Sequence, residues 1–169
     1  MPESALSPLR SVAIFLFGLL AYATAGLVVP AHLLFVGNFL GGHGLDRQQT
    51  GATGCAILID GCLLLLFFLQ HSLMARSGCK ATLGRFTPHG IERSLYTMCA
   101  SVLLLVQILL WQPFGPVLWS VDRGGKKALL LLGYGAGWLL VYWATLALNH
   151  FELLGLRQAG LHALGLPYT

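Results

Sequence analysis

Four apolar runs, each close to the length of a bilayer-crossing helix, dominate the chain: approximately Ser11 to Val36, Thr53 to Ala75, Ser94 to Trp111 and Ala128 to Leu148. A hydrocarbon core of roughly 30 Å needs about 20 residues at a rise of about 1.5 Å per helical residue. Backbone N–H and C=O groups find no water in lipid, so such segments must be helices or the strands of a closed barrel. The runs are continuous rather than alternating, which removes the barrel. The predicted fold class is all-α: an integral membrane bundle of about four transmembrane helices with a short interfacial C-terminal segment. No repeat, low-complexity tract or long linker divides the chain, which reads as one transmembrane domain over residues 1–169.

Composition agrees. With 56% hydrophobic residues, 9% charged residues and a mean hydropathy of +0.75, there is too little polar surface to clothe a soluble globule, and the surplus apolar surface must face lipid. The net charge of +4 comes from basic residues scattered singly or in small clusters between the runs. A nucleic-acid surface gathers them on one face, so no nucleic-acid partner is expected. Cys55, Cys62, Cys79 and Cys99 show neither CxxC spacing nor the density of a secreted scaffold, and read as free structural thiols. The first run has the look of a signal peptide with Ala23-Thr24-Ala25 as its cleavage site. Its apolar stretch of about 19 residues exceeds the roughly 7 to 15 of a signal core, so it is read as a retained span.

Pro30 removes a backbone donor late in the first run and is expected to bend that helix or end it near the headgroups. Gly41 to Gln49 reads as a short polar loop. The connection from Arg76 to Arg93 holds Arg76, Lys80, Arg85 and Arg93, and the next holds Arg123, Lys126 and Lys127. With the N-terminus inside, six basic residues (Arg10, those four and Arg157) face the cytoplasm against four outside. A bacterial inner-membrane location with cytoplasmic termini is therefore expected. Trp111, Trp119, Tyr96 and Tyr142 fall near span ends, as interfacial aromatic anchors do. The tail from Phe151 mixes leucines with Glu152, Arg157, Gln158 and His162 and suits a segment lying flat at the interface, although Gly155, Gly160 and Gly165 weaken it as a helix.

Few residues carry chemistry. Asp60 lies several residues inside a span, where a carboxylate costs on the order of 3 kcal/mol to insert. His71 follows eleven residues later, which at about 100° per residue returns it to within about 20° of the same helix face. Two readings stay open: a polar stripe lining a substrate or proton path, or an Asp60 held neutral or hydrogen-bonded by another helix. His71 closes the second span beside Gln70, Ser72 and Met74, and Asn149, His150 and Glu152 end the fourth on the same side of the membrane. No HxxxH spacing supports a metal site, and none is expected. Arg85, Glu92 and Arg93 flank Pro88 in the most basic connection, which suits either anionic lipid headgroups or an anionic cofactor or substrate group. Gly133 and Gly137 form a GxxxG that reads as helix packing, with self-association as one outcome. GxGxxG, P-loop, GxSxG and HExxH patterns are absent from the sequence.

Local words then become recognisable: Phe68-Leu69-Gln70-His71-Ser72-Leu73-Met74-Ala75, Ile91-Glu92-Arg93-Ser94-Leu95-Tyr96, Trp111-Gln112-Pro113 and Asn149-His150-Phe151-Glu152-Leu153-Leu154-Gly155-Leu156-Arg157-Gln158. With these, from about Val36 onward, the chain resembles the nurim-type membrane family. That family includes bacterial methanethiol S-methyltransferases and is similar in architecture to the isoprenylcysteine carboxyl methyltransferases. The resemblance implies methyl transfer from S-adenosylmethionine to a small thiol, methanethiol becoming dimethyl sulfide. The protein must then align two sulfurs in line and favour the thiolate. It implies roles for His71, His150 and Glu152 in alignment or proton removal, and for Arg93 and Arg157 in binding the cofactor carboxylate. Family members continue past the Pro167-Tyr168-Thr169 region into a part with an Arg-His-Pro word, which this sequence lacks. The expectation is an N-terminal part of a longer enzyme, inactive in isolation. The alternatives are a non-enzymatic, nurim-like membrane scaffold and a transporter or proton path using Asp60.

Overall fold

The computed structural model describes residues 8–47, 51–87, 91–115, 120–121 and 124–166. Gln48, Gln49, Pro88, Trp119, Arg123 and the Pro167-Tyr168-Thr169 end lie outside these ranges. Among the described residues there are seven helices and no strand. Four of them are long and apolar enough to cross a membrane: α1 (Pro8–Val36), α2 (Thr53–Ala75), α4 (Glu92–Leu110) and α5 (Gly125–Ala147). The all-α, multi-pass architecture expected from the apolar runs is what forms.

Three shorter helices complete the chain: α3 (Ser77–Phe86), α6 (His150–Leu153) and α7 (Leu156–Ala163). α3 lies inside what the sequence presents as a connection. Arg76, extended at φ −74° and ψ 143°, ends α2 and begins α3. Thr87 closes α3, its backbone N–H and its hydroxyl both donating to Leu83 O at 2.8 Å. Gly155 (φ +86°) and Gly165 (φ +67°) bracket α7 in the left-handed conformation that glycine adopts without a Cβ penalty. Two of the three glycines expected to weaken this tail thus delimit its helix, and only Gly160 sits within it.

α1 and α4 form the core pair, and they run parallel. At one end Gly18 faces Ser94, whose Oγ would lie 3.4 Å from a Cβ added at Gly18. At the other end the rings of Phe35 and Trp111 meet edge-on at 6.3 Å. The same seventeen residues separate the two contacts on each helix. The buried face of α1 is Ile14, Gly18, Ala21, Ala25 and Val28, repeating at three and four residues, and that of α4 is Ser94, Thr97, Ser101 and Gln107. Small and hydroxyl side chains let two backbones approach where lipid supplies no hydrophobic drive. Pro30 does not end α1, which continues to Val36. The carbonyl that loses its partner belongs to Gly26, four residues earlier.

α2 runs antiparallel to α4, and the stripe expected to join Asp60 and His71 on one face is the contact surface. Asp60 Oδ1 accepts the Gln112 N–H at 2.8 Å, Gln107 Nε2 donates to Leu63 O at 3.4 Å, and Tyr96 meets His71. Asp60, 2% exposed, is held by the segment just past α4. Its Oδ2 has no partner among the described residues. The loop after α1 reinforces that end: Asn38 Nδ2 donates to Asp46 Oδ2 at 2.7 Å, and Arg47 hydrogen-bonds Trp111 O. α5 stands apart, with no buried residue. Tyr134 donates to Leu33 O, and nothing lies within 4 Å of a Cβ added at Gly133 or Gly137, so this GxxxG packs against no described helix.

Candidate functional site

The end of the bundle where α2 stops and α4 starts gathers most of the polar side chains. Leaving α2 at Ala75, the chain turns through α3, then enters α4 at Glu92, while α6 and α7 return after α5 to the same level. Two hydrogen bonds fix this return. Ser94 Oγ donates to Gly155 O at 3.3 Å, and Thr97 Oγ1 donates to Leu154 O at 3.2 Å. Gly155 has no substitute here, because an added Cβ would lie 2.6 Å from Ser94 N. α7 then presses Ala159, fully buried, against Gly18 of α1.

That docking assembles a charge cluster from residues far apart in sequence. Arg93 Nη1 lies 3.5 Å from Glu152 Oε1 and also donates to the Glu152 backbone carbonyl at 3.0 Å. Arg157 Nη1 donates to Glu152 Oε2 at 2.7 Å. Glu152 is thus held between two guanidiniums, with both arginine side chains close to half exposed. Each such pair is worth little alone, and its value here is to fix where Arg93 points.

Beside the cluster lies a cavity of about 480 Å³. Met74 and Ala75 of α2 line it, with Cys79, Lys80 and Leu83 of α3, Glu92, Arg93 and Tyr96 of α4, Leu153 of α6 and Gln158 of α7. The volume falls in the range of small-molecule pockets, and the lining has their composition: apolar walls with a few convergent polar groups. Two cations, one carboxylate and a phenol border it. Gln158 Oε1 is buried without a partner among the described residues, an acceptor left for a ligand donor.

His71 stands one residue behind this wall. The Tyr96 hydroxyl lies 2.7 Å from His71 Nδ1 and 3.0 Å from Nε2, and Phe67 stacks on the imidazole at 5.4 Å between ring centres. The O–H donates to whichever ring nitrogen is unprotonated. His71 therefore reaches the cavity through Tyr96. His150 takes another direction. Its Nδ1 is 3.2 Å from Thr145 Oγ1 and its ring meets Tyr22 of α1 edge-on at 5.6 Å, so it is not among the residues lining the cavity. Of the five residues singled out from sequence, Arg93, Glu152 and Arg157 converge, His71 adjoins them through Tyr96, and His150 packs against α1. Among the described residues, no three His, Cys, Asp or Glu side chains converge as metal ligands.

The sequence alone gives Tyr96, Lys80 and Gln158 no role at a site, whereas Glu92 stands in the basic connection that suits anionic lipid headgroups or an anionic cofactor or substrate group. Tyr96 has the place of an interfacial anchor in the sequence, yet it follows Arg93 by three residues and shares its side of α4. Lys80 was hidden because α3 itself was unread.

Comparison with known proteins decides the family. Methanethiol S-methyltransferase of Mycobacterium tuberculosis is 39% identical over 135 residues, covering 80% of this chain and 55% of that protein. Methanethiol S-methyltransferase 1 of Bradyrhizobium diazoefficiens is 34% identical over 168 residues, covering 99% of this chain and 59% of that one. Nurim of Rattus norvegicus is 40% identical over 132 residues, covering 73% of this chain and half of the rat protein. The chain belongs to the nurim-type membrane family. It spans between half and three fifths of the length of these relatives. No family model matches it, and no solved structure does. The Arg93–Glu152–Arg157 cluster and the Tyr96–His71 pair stand in three of the four local words that carry the resemblance.

Proposed function

We propose that this chain is part of a membrane methyltransferase that moves a methyl group from S-adenosylmethionine to a small thiol, methanethiol giving dimethyl sulfide. The observation carrying the reading is a cavity with Arg93 and Tyr96 in its wall, in a chain whose relatives are named methanethiol S-methyltransferase. The lining suits an amino-acid zwitterion. Arg93 and Lys80 match a carboxylate, Glu92 matches an ammonium group, and Gln158 Oε1 accepts a further N–H. Bound there, S-adenosylmethionine supplies an electrophilic methyl on a sulfonium sulfur.

The chain's own residues would then do three things. Arg93, steadied by Glu152 and Arg157, holds the carboxylate end and so sets the depth of the ligand. Met74, Ala75, Leu83 and Leu153 exclude water, which favours a sulfur nucleophile over hydroxide. Tyr96 and His71 would take the thiol proton: the S–H bond would break, the proton would pass to the imidazole by way of the phenol, and the thiolate lone pair would form the new C–S bond as the sulfonium's bond to that methyl breaks and its electron pair stays on the departing thioether sulfur. His150 of α6, packed against Tyr22 of α1, supports the site in this reading rather than touching the reactants. One transmembrane domain in the bacterial inner membrane, with the α3 end cytoplasmic, accords with the six basic residues gathered there.

Cells fed methanethiol and expressing the intact reading frame should release more dimethyl sulfide into the headspace than cells without it. Arg93→Gln should lower that release by about tenfold or more, as loss of a charge-assisted contact of about 1.5 to 3 kcal/mol predicts, with membrane yield unchanged. An intact frame that adds no dimethyl sulfide would end the enzyme reading. A second reading, a non-enzymatic nurim-like scaffold, is favoured by the 40% identity to rat nurim and by the uncovered α5. It predicts that Arg93→Gln changes no small-molecule product.

A further inference from the structure

α3 is the least covered helix near the cavity, and its chemistry names what covers it. Only Arg76 separates it from α2, so it begins at the end of a membrane-spanning segment. None of its residues is buried, and Phe86 is 84% exposed. In steps of about 100°, Phe86, Cys79 and Leu83 fall within an apolar arc of about 60°, with Lys80 beyond one edge and Arg85 beyond the other. Arg76 precedes α3 in extended backbone. α3 contains no acidic residue, and the nearby Glu92 meets it at Gly84. Arg76 and Arg85 are exposed, and neither has an ion pair among the described residues.

With Cys79 and Leu83 turned to the cavity, the exposed Phe86 beside Arg85, on a helix that begins at Arg76 and the membrane face, is the pattern of a helix end that meets an anionic bilayer. We propose that α3 is a seat for anionic phospholipid headgroups: Arg76 and Arg85 meet the phosphates, Phe86 enters the acyl boundary, and the lipid holds α3 in the position where Cys79 and Leu83 wall the cavity. The seat does not depend on the reaction assigned to that cavity.

The test places a nitroxide label at residue 86 through Phe86→Cys, with the four native cysteines replaced by serine, in bilayers of phosphatidylcholine alone or with phosphatidylglycerol. Anionic lipid should cut collision of the label with a water-soluble nickel chelate by about threefold or more, through the added attraction of the headgroups. Arg76→Gln with Arg85→Gln, neither of which lines the cavity, should remove the difference. A label that stays in water in both bilayers would overturn the proposal and leave a soluble acidic partner as the occupant of α3. A lipid effect that survives the double substitution would overturn it as well. If the labelled protein fails to fold, mass spectrometry of the otherwise native chain after mild detergent extraction replaces it. The unsubstituted chain should retain more phosphatidylglycerol than the double variant, and equal retention counts against the seat.

Discussion

Glu152 and Gly155, three residues apart, carry opposite kinds of constraint. Glu152 joins two ion pairs, yet its partners are nearly half exposed, and solvent screening leaves each pair worth under about 1 kcal/mol. Glu152→Gln, which removes both pairs, should therefore lower stability by no more than about 2 kcal/mol in detergent unfolding, while freeing Arg93 to move. Gly155→Ala is the harsher change, because the residue sits at φ +86° with Ser94 N in the way of a Cβ. It should cost more than about 2 kcal/mol and detach α7 from α4, visible as rapid proteolysis of the tail. The chemistry of Arg93 and Glu152 was legible in the sequence, since charged residues at span ends are few. Their pairing was not, because 59 residues and a whole helix separate them. His150 stands off the cavity for a local reason: Asn149, at φ +62°, turns the chain, and the imidazole meets Tyr22.

At the scale of elements, the four spans were legible because apolar length is dictated by lipid, and the helices follow the expected runs within a few residues. What was not legible was which faces meet. GxxxG in α5 drew attention as a packing motif, whereas the closest helix pair is built from Gly18, Ala21 and Ala25 against Ser94, Thr97 and Ser101. Hydropathy averages over such a seam, since alanine and serine count for little beside leucine. Ala21→Leu, at a fully buried position, should cost about 1 to 3 kcal/mol by forcing α1 from α4. The link between α2 and α4 offers a sharper contrast. Asp60→Ala strands the Gln112 N–H and should cost about 1 to 3 kcal/mol, whereas Asp60→Asn keeps an acceptor and should cost much less. Equal losses in the two variants, measured by unfolding in mixed micelles, would count against this hydrogen bond and revive a proton-carrying role. α3 escaped notice for want of length: ten residues with two glycines and no apolar run leave little periodicity to read.

Across the whole molecule, α1, α2, α4 and α7 form one packed unit, and α5 hangs from it by Tyr134 and α6. Gly133→Ile with Gly137→Ile should leave the chain's own stability within about 0.5 kcal/mol, because neither position touches another described helix. If α5 is the face through which two copies meet, energy transfer between labelled chains in vesicles should fall in the same variant. Unchanged transfer would exclude that face. α1 carries a different consequence. Its 29 residues extend about 43 Å, and Gly18, eleven residues in, is already level with the first turn of α4. The overhang from Pro8 to Phe17 is largely apolar and is shielded on one side by α7, with Phe15 beside Gly160. A protein with one overlong helix among shorter ones meets a different misfit in thin and thick bilayers, and α7 decides how large that misfit is. Trimming α7 should shift the chain toward the thicker of two coexisting lipid phases, making a surface helix a determinant of sorting by thickness.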